Sequence, residues 1–209
     1  MKEIPDKSVD MVLSDLPYTT TKNSWDNLIP LDKLWKEYNR ICKDNSCIAL
    51  FSQPPFDKVL GSSNLNMFRY EWIWEKDNST GFLNANKMPL KKTENILIFY
   101  KRLPTYNPQM TQGKPYRVKQ GSGSSNWNYD ETQGGYITEN TGFRYPVNIL
   151  KFNRDKERFH PTQKPVALLE YLIRTYTNEN EVVFDGCMGS GSTGVACAKT
   201  NRKFVGGGT

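Results

Sequence analysis

The sequence predicts an α/β fold with a mainly parallel, doubly wound sheet. Two observations support this prediction: short apolar runs of strand length alternate with segments whose apolar residues recur at helical spacing, and a glycine-rich turn follows one of these runs. Such alternation is typical of βαβ units, in which helices cover both faces of a parallel sheet. At 209 residues the chain is long enough for one domain with a sizeable core.

The first half of the chain supplies most of the predicted strands. The apolar run at 9–14 predicts a buried strand that ends at a turn. From Pro30 to Cys42 the apolar residues recur every three or four positions, which predicts an amphipathic helix. Further strands are predicted at 47–51, 70–76 and 95–101, and a short helix is predicted to begin at Pro54 or Pro55.

The second half begins with a segment that lacks a regular pattern, at 103–143. Within it, residues 119–135 contain almost no aliphatic side chains, and we expect them to be mobile or partly disordered. Regular elements are then predicted in this order: a strand at 147–152, a helix at 165–176, a strand at 181–184, a helix at 192–200 and a strand at 203–206.

The net charge of +6 is concentrated in one part of the chain. Residues 101–164 hold 11 Lys and Arg against 5 Asp and Glu, and basic and acidic residues balance elsewhere. A basic segment is often only a solvated face. One that is also rich in Tyr, Asn, Gln and Arg favours contact with phosphates.

Composition argues against several other classes. The apolar runs are too short to span a bilayer, and the N-terminus carries acids where a signal peptide needs an apolar stretch. We therefore expect a cytoplasmic protein without membrane contact. The cysteines show no C-x-x-C spacing and the chain has one histidine, so we expect reduced thiols and no metal site.

The glycine-rich turn is GSGSTG at 189–194, shortly after Asp185. A phosphate-binding P-loop needs a Lys directly before the Ser or Thr, whereas here Gly191 precedes Ser192. A dinucleotide site needs an acid about 20 residues further on, and the sequence has none after Asp185. Three interpretations stay open on these residues: a turn without a ligand, an NAD site, or a site for S-adenosylmethionine, whose cationic amine could donate to Asp185.

The first predicted strand ends in DLPY, at 15–18. The carboxylate of Asp15 and the main-chain carbonyl of Leu16 can both accept hydrogens from the exocyclic amine of a base, which frees the nitrogen lone pair. Leu16 precedes Pro17, so its backbone is held extended. Tyr18 offers a face on which a flipped-out base can stack. By itself, D-x-P-Y is also compatible with a turn that closes a strand.

Three motifs together resemble those of the DNA amino-methyltransferases, which methylate the exocyclic amine of adenine or cytosine with S-adenosylmethionine. DLPY is similar to the family's D-P-P-Y catalytic motif, HPTQKP (160–165) to its cofactor-adjacent motif, and FDGCMGSGST (184–193) to its F-x-G-x-G cofactor motif. Their order resembles the β permutation class. The resemblance covers nearly the whole chain. It implies one Rossmann-like methyltransferase domain over 1–209, with a loop-rich DNA-recognition insertion at 101–146.

The resemblance also implies roles for individual residues. The catalytic residues would be Asp15, Leu16, Pro17 and Tyr18. The cofactor would be held by Asp185, Gly186, Cys187, Gly189, Ser190, Gly191 and Ser192, with Thr162 and Lys164 on the HPTQKP side. The DNA contacts would be Lys114, Arg117, Lys119 and Arg144.

The implied activity is that of a site-specific, restriction–modification type DNA methyltransferase. Its substrate would be double-stranded DNA with a flipped-out base, and adenine is favoured over cytosine because Asp opens the catalytic motif. The location would be the cytoplasm of a bacterial or phage-type system, at the nucleoid when on DNA. Monomer and homodimer both stay open.

The sequence departs from the family pattern at two motif positions. Leu16 replaces the first proline of the catalytic motif, which keeps the carbonyl and should preserve function. Gly208 stands where the family has an acid for the ribose hydroxyls, and this keeps other hypotheses open. We expect the cofactor-binding end, 181–209, to be cropped. The alternatives are a catalytically degenerate domain that still binds DNA, and an NAD-dependent oxidoreductase that GSGSTG alone supports.

Overall fold

A computed structural model describes residues 1–17, 29–119, 137–155 and 163–207. The strands within these ranges are β1 (Val9–Asp15), β2 (Cys42–Ser52), β3 (Phe68–Thr80), β4 (Lys91–Phe99), β5 (Thr111–Gln112), β6 (Tyr116–Lys119), β7 (Ile137–Asn140), β8 (Phe143–Arg144), β9 (Ile149–Lys151), β10 (Val182–Asp185) and β11 (Lys203–Gly206). The helices are α1 (Leu31–Ile41), α2 (Phe56–Ser62), α3 (Val166–Tyr176) and α4 (Ser192–Lys199).

A seven-stranded sheet forms the centre of the larger of two compact units, Met1–Asn107 with Val147–Thr209. Its strand order is β11-β10-β1-β2-β4-β3-β9. Among these seven described strands, β4 alone runs against the others. The predicted fold class, a mainly parallel doubly wound sheet, is confirmed. Because β1 and β10 are parallel neighbours, their carboxyl ends meet at the same edge of the sheet.

Alternating side chains along the strands build an apolar cluster on each face of the sheet. On one face, Met11, Leu13 and Phe51 pack with residues of α3 and α4. On the other face, Val12 and Leu50 pack with residues of α1 and α2. Burial on both faces explains why these strands are continuous apolar runs in the sequence. Within the described part of the chain, the helices are too short or too polar to cross a bilayer.

The structure differs from the predicted pattern between β3 and β4. These strands form an antiparallel hairpin, with Trp74 opposite Glu94, instead of a βαβ unit. Only residues 81–90 connect them, whereas a crossover to a parallel strand needs about a dozen residues or more. In addition, β3 extends beyond both of its predicted ends, and β4 begins earlier than predicted.

The second compact unit is Pro108–Pro146. In it β5 pairs with β8 and β6 pairs with β7, both antiparallel. The prediction of an irregular segment at 103–143 is therefore wrong for these residues. All four residues of β6 are exposed, so the sequence has no buried alternation to reveal the strand. Of the segment predicted to be mobile, 119–135, all but Lys119 lies outside the described residues.

Candidate active site

The predicted catalytic motif lies where β1 leaves the sheet. Asp15 is the last residue of β1, and its side chain is 28% exposed, so it is accessible at the edge of the sheet. The next residue, Leu16, is buried in the apolar cluster beside α1 and anchors the chain there. The motif thus combines a fixed backbone with an accessible carboxylate. Tyr18 lies outside the described residues.

The glycine turn connects β10 to α4, as the sequence predicts. Gly189 and Gly191 have φ values of +48° and +78°, a left-handed conformation that residues with a side chain rarely adopt. The predicted cofactor residues from Asp185 to Ser192 all lie in this turn or next to it. The hydroxyls of Ser190 and Ser192 are 2.9 Å apart, so one donates to the other across the turn.

Asp185 organises this turn from inside. Its Oδ1 accepts from the backbone N–H of Cys187 at 3.0 Å, and its Oδ2 accepts from the hydroxyl of Thr193 at 2.6 Å. Asp185 is only 4% exposed. Burial raises the pKa of its carboxyl, and the hydrogen bonds from Thr193 and Cys187 offset part of that effect. Its predicted contact with the cofactor's amine stays a prediction.

The strand β1, which ends in Asp15, and the glycine turn are joined directly. The backbone N–H of Gly186 donates to the buried hydroxyl of Ser14, at 3.1 Å. Ser14 is the residue before Asp15, so the hydrogen bond connects two motifs that lie 172 positions apart in sequence. The parallel pairing of β1 with β10 thus brings the predicted catalytic carboxylate next to the predicted cofactor turn.

Lys164, which the sequence assigns to the cofactor, contacts the predicted catalytic carboxylate, that of Asp15. Its ammonium lies 2.9 Å from Oδ2 of Asp15 and 2.9 Å from Oε2 of Glu94. Burial by itself would lower the pKa of Lys164, but the carboxylates of Asp15 and Glu94 outweigh it and raise that pKa. Lys164 is therefore a cation at neutral pH, held between two anions.

Glu94 and Lys76 are site residues that the sequence analysis missed. The ammonium of Lys76 lies 2.9 Å from Oε1 of Glu94, and both side chains are less than a tenth exposed. Burial would raise the pKa of Glu94, but Lys164 and Lys76 hold it below its ordinary value. The signal in the sequence was a charged residue, Glu94, two positions before the apolar run 96–99.

A cleft of about 280 Å³ lies between the two predicted cofactor motifs. Ser190 and Ser192 line it from the glycine turn, and Gln163 and Val166 line it from the start of α3. Val195 and Lys199 of α4 complete the lining, so the cleft has both polar and apolar walls, which suits a ligand with both polar and apolar parts. These residues fit the predicted cofactor, although Thr162 and Gly208 lie outside the described residues.

The helix start of α3 is capped by a residue that the sequence analysis did not identify. Oδ2 of Asp155 accepts from the backbone N–H of Val166 at 3.1 Å and from the side-chain amide of Gln163 at 3.2 Å. This carboxylate supplies an acceptor for the first turn of the helix. It also lines the cleft.

The predicted DNA contacts fall into two groups within the Pro108–Pro146 unit. Lys114, Arg117 and Lys119 are exposed, and Arg117 also forms an ion pair with Glu139 at 3.0 Å. Arg144 is used within the unit: it donates to the backbone carbonyl of Lys114 and to Asn140, and its guanidinium lies 4.8 Å from the centre of the Tyr116 ring. The two lysines are thus better placed to meet phosphates than Arg144 is.

Fold and site together define a Rossmann-like α/β enzyme of the methyltransferase type, with the predicted catalytic carboxylate beside a glycine turn. More particularly, the chain belongs to the N6/N4 DNA methylase family, whose sequence model matches residues 9–207. The DNA adenine methyltransferase YhdJ of Escherichia coli (strain K12) is 28% identical over 99% of this chain and 74% of its own length. The Type II methyltransferase M1.MboII of Moraxella bovis is 28% identical over 99% of this chain and 86% of its own.

Solved structures agree on the fold. The crystal structure of the M1.HpyAVI–SAM complex matches with a TM-score of 0.63 at 24% identity, and the match covers 96% of this chain and 83% of that one. The predicted family, fold class and enzyme class are confirmed, and S-adenosyl-L-methionine is confirmed as the cofactor at the level of the family. The NAD-dependent alternative loses its support. The roles of individual residues stay predictions.

Proposed function

We propose that this protein transfers a methyl group from S-adenosylmethionine to the exocyclic amine of a flipped-out adenine in double-stranded DNA. One observation carries the proposal: the Asp15 carboxylate stands, partly exposed, at the same sheet edge as the glycine turn, joined to it through Ser14 and Gly186. A methyl acceptor and a methyl donor bound at these two places would be neighbours.

Polarisation of the base amine is the first part of the mechanism. The lone pair of that amine is delocalised into the ring, which makes the nitrogen a poor nucleophile. Asp15 and the main-chain carbonyl of Leu16 each accept a hydrogen bond from one N–H of the amine, so the nitrogen becomes more tetrahedral and its lone pair is freed. Such acceptors, fixed in advance by a buried strand end, contribute ~10²-fold or more to a rate.

The second part is orientation of the methyl donor. When bound, S-adenosylmethionine would supply a methyl group on a positively charged sulfur: the N–C bond to the base amine would form as the C–S bond breaks, S-adenosylhomocysteine would leave with that electron pair, and the methylated amine would lose one proton. The chain contributes the cleft between the glycine turn and α3, where Ser190, Ser192 and Gln163 offer polar atoms. Holding the two reactants in line is worth several orders of magnitude without any covalent intermediate.

The target and its setting are the finer parts of the proposal. Adenine is supported by the Asp that opens the catalytic motif and by the relative YhdJ, which is named a DNA adenine methyltransferase.

The DNA-recognition insertion, 101–146, would bind duplex phosphates through Lys114 and Lys119. We place the protein with its DNA substrate in the cytoplasm of a bacterial or phage-type system. For the oligomeric state, light scattering with and without DNA decides between monomer and homodimer.

A methyl-transfer assay tests the proposal. Duplex DNA is incubated with the protein and S-adenosylmethionine that carries a labelled methyl group, and the DNA is then digested to nucleosides and separated. We expect the label in N6-methyl-2'-deoxyadenosine. Label in N4-methyl-2'-deoxycytidine instead would correct the target base. DNA that binds the protein but stays unlabelled would favour the catalytically degenerate alternative.

A further inference from the structure

Four charged side chains form a line of ion pairs along the edge of the sheet where the candidate site lies. In order of contact they are Asp15, Lys164, Glu94 and Lys76, and each successive pair is 2.9 Å apart. Asp15, Glu94 and Lys76 come from β1, β4 and β3. Lys164 passes over β2, where its ammonium lies 5.0 Å from the centre of the Phe51 ring. The line therefore follows the strand order β1-β2-β4-β3.

Fold stability alone is a weak reason for such an arrangement. Burying charged groups costs desolvation free energy, and the attraction between the paired charges often does not offset this cost. Apolar side chains of similar volume commonly stabilise a fold equally well or better. Lys164, Glu94 and Lys76 are all nearly buried. The more exposed end of the line is Asp15, the residue proposed to polarise the base amine.

We infer that Glu94 is a positioning residue for methyl transfer: it holds the Lys164 ammonium against Oδ2 of Asp15, so that the Asp15 carboxylate keeps one orientation. The inference rests on the function proposed above. Lysine side chains are long and flexible, and two carboxylates at 2.9 Å on either side fix this one. Glu94 also partly neutralises the positive charge of Lys164. Lys164 therefore offsets less of the negative charge of Asp15, and the Asp15 carboxylate remains a stronger acceptor for the amine hydrogens.

Lys76 has a different job in the same line. It neutralises Glu94 from the side away from Asp15, and its ammonium lies 5.8 Å from the centre of the Trp74 ring. It touches neither Asp15 nor Lys164 in any contact that the structure describes. Lys76 therefore supports the burial of Glu94, whereas Glu94 supports the position of Lys164. This difference allows stability and positioning to be separated experimentally.

The experiment compares wild type with Glu94→Gln, with the double variant Glu94→Gln/Lys76→Met, and with Glu75→Gln as control. Glu75 is the neighbour of Lys76 on β3 and pairs with the exposed Lys92 and Lys151, so its loss removes a carboxylate away from the line. Five quantities are measured for each protein. They are the melting temperature, the affinity for S-adenosylmethionine, kcat and KM on duplex DNA, and the rate at which an amine-reactive reagent labels Lys164.

We expect Glu94→Gln to lower kcat about tenfold or more, with cofactor affinity and KM for DNA nearly unchanged, and to lower the melting temperature. In the double variant, Lys76→Met removes the buried ammonium that Glu94→Gln leaves without its carboxylate, so the melting temperature recovers. Its kcat stays low, and Lys164 is labelled faster than in wild type. The Glu75→Gln control keeps wild-type values.

A double variant that regains kcat together with stability would overturn the inference, because Glu94 would then serve the fold alone. The inference would also be overturned if the amine-reactive reagent labelled Lys164 in the double variant as slowly as in wild type. A wild-type protein that transfers no methyl group would contradict the proposed function instead. In that case the labelling of Lys164 still decides whether Glu94 fixes that side chain.

Discussion

Asp185 illustrates how a residue in a recognised motif can have a structural task that the motif does not reveal. The sequence predicts a contact with the cofactor, whereas in the structure its two oxygens accept from Thr193 and from the N–H of Cys187. Both hydrogen bonds hold the glycine turn against the end of β10. A buried carboxylate needs such donors, since a charge without them is costly.

We predict that Thr193→Val destabilises the protein and weakens cofactor binding together. Valine keeps the shape of threonine but removes the donor to Oδ2 of Asp185, which should cost about 1–3 kcal/mol of unfolding free energy. Denaturant unfolding and calorimetric titration with S-adenosylmethionine measure the two effects. The exposed Thr93 on β4 gives a matched Thr→Val control, for which neither quantity should change. If Thr193→Val left the affinity for S-adenosylmethionine unaltered, the hydrogen bond between Thr193 and Asp185 would not contribute to cofactor binding.

At the scale of elements, the sequence predicts what depends on neighbours in the chain. The strands β1, β2 and β10 contain apolar runs, and the apolar residues of α1 and α3 recur at helical spacing. The local pattern is therefore enough to predict these elements. The β3–β4 hairpin was missed because strand direction is set by the connection between strands, which the pattern of each strand does not contain.

The line of ion pairs escaped sequence analysis for a related reason. Glu94 lies 70 positions from Lys164 and 18 from Lys76, so only the folded sheet brings them together. By contrast, the motifs around Asp15 and Asp185 could be assigned from the sequence because each is contiguous. Contiguous motifs were thus predictable here, and contacts between distant residues were not.

For the Pro108–Pro146 unit we predict that Lys114 and Lys119 account for part of the salt dependence of DNA binding. Replacing both with Ala should reduce the slope of log affinity against log salt by roughly 0.9 for each phosphate that the protein no longer neutralises. Binding titrations at several salt concentrations measure this slope. Replacing the exposed Lys33 and Lys36 of α1 removes the same charge as a control. Equal slopes for the two double variants would move the DNA interface away from Lys114 and Lys119.

At the scale of the whole molecule, the buried charges make folding stability depend on pH. The pKa of Glu94 lies below its ordinary value of 4.5 in the folded protein. Its ionised form therefore stabilises the fold above that value, and this contribution is lost as the pH falls through the folded pKa. Asp185, whose pKa is raised, has the opposite dependence: its contribution is present at low pH and lost as the pH rises.

We therefore predict that wild type loses stability relative to Glu94→Gln/Lys76→Met when the pH falls from neutrality to below 4.5. Asp185 is present in both proteins, so its opposite dependence cancels in the difference. Urea unfolding at neutral and acidic pH gives the two free energies. Added salt should change this difference little, because buried pairs are weakly screened. A difference that is constant with pH would mean that the pKa of Glu94 is the same in the folded and the unfolded protein.

The central claim is that Asp15 acts on the base amine and not on the cofactor. Its most direct test is single-turnover methyl transfer by wild type and Asp15→Ala, with the affinity for S-adenosylmethionine measured by calorimetry on the same samples. Asp44→Ala, which removes an exposed carboxylate near the opposite end of β2, is the control. The account predicts a rate at least ~10²-fold lower for Asp15→Ala, with nearly unchanged cofactor affinity. A rate above about a tenth of wild type, or an equal loss of cofactor affinity, would contradict it.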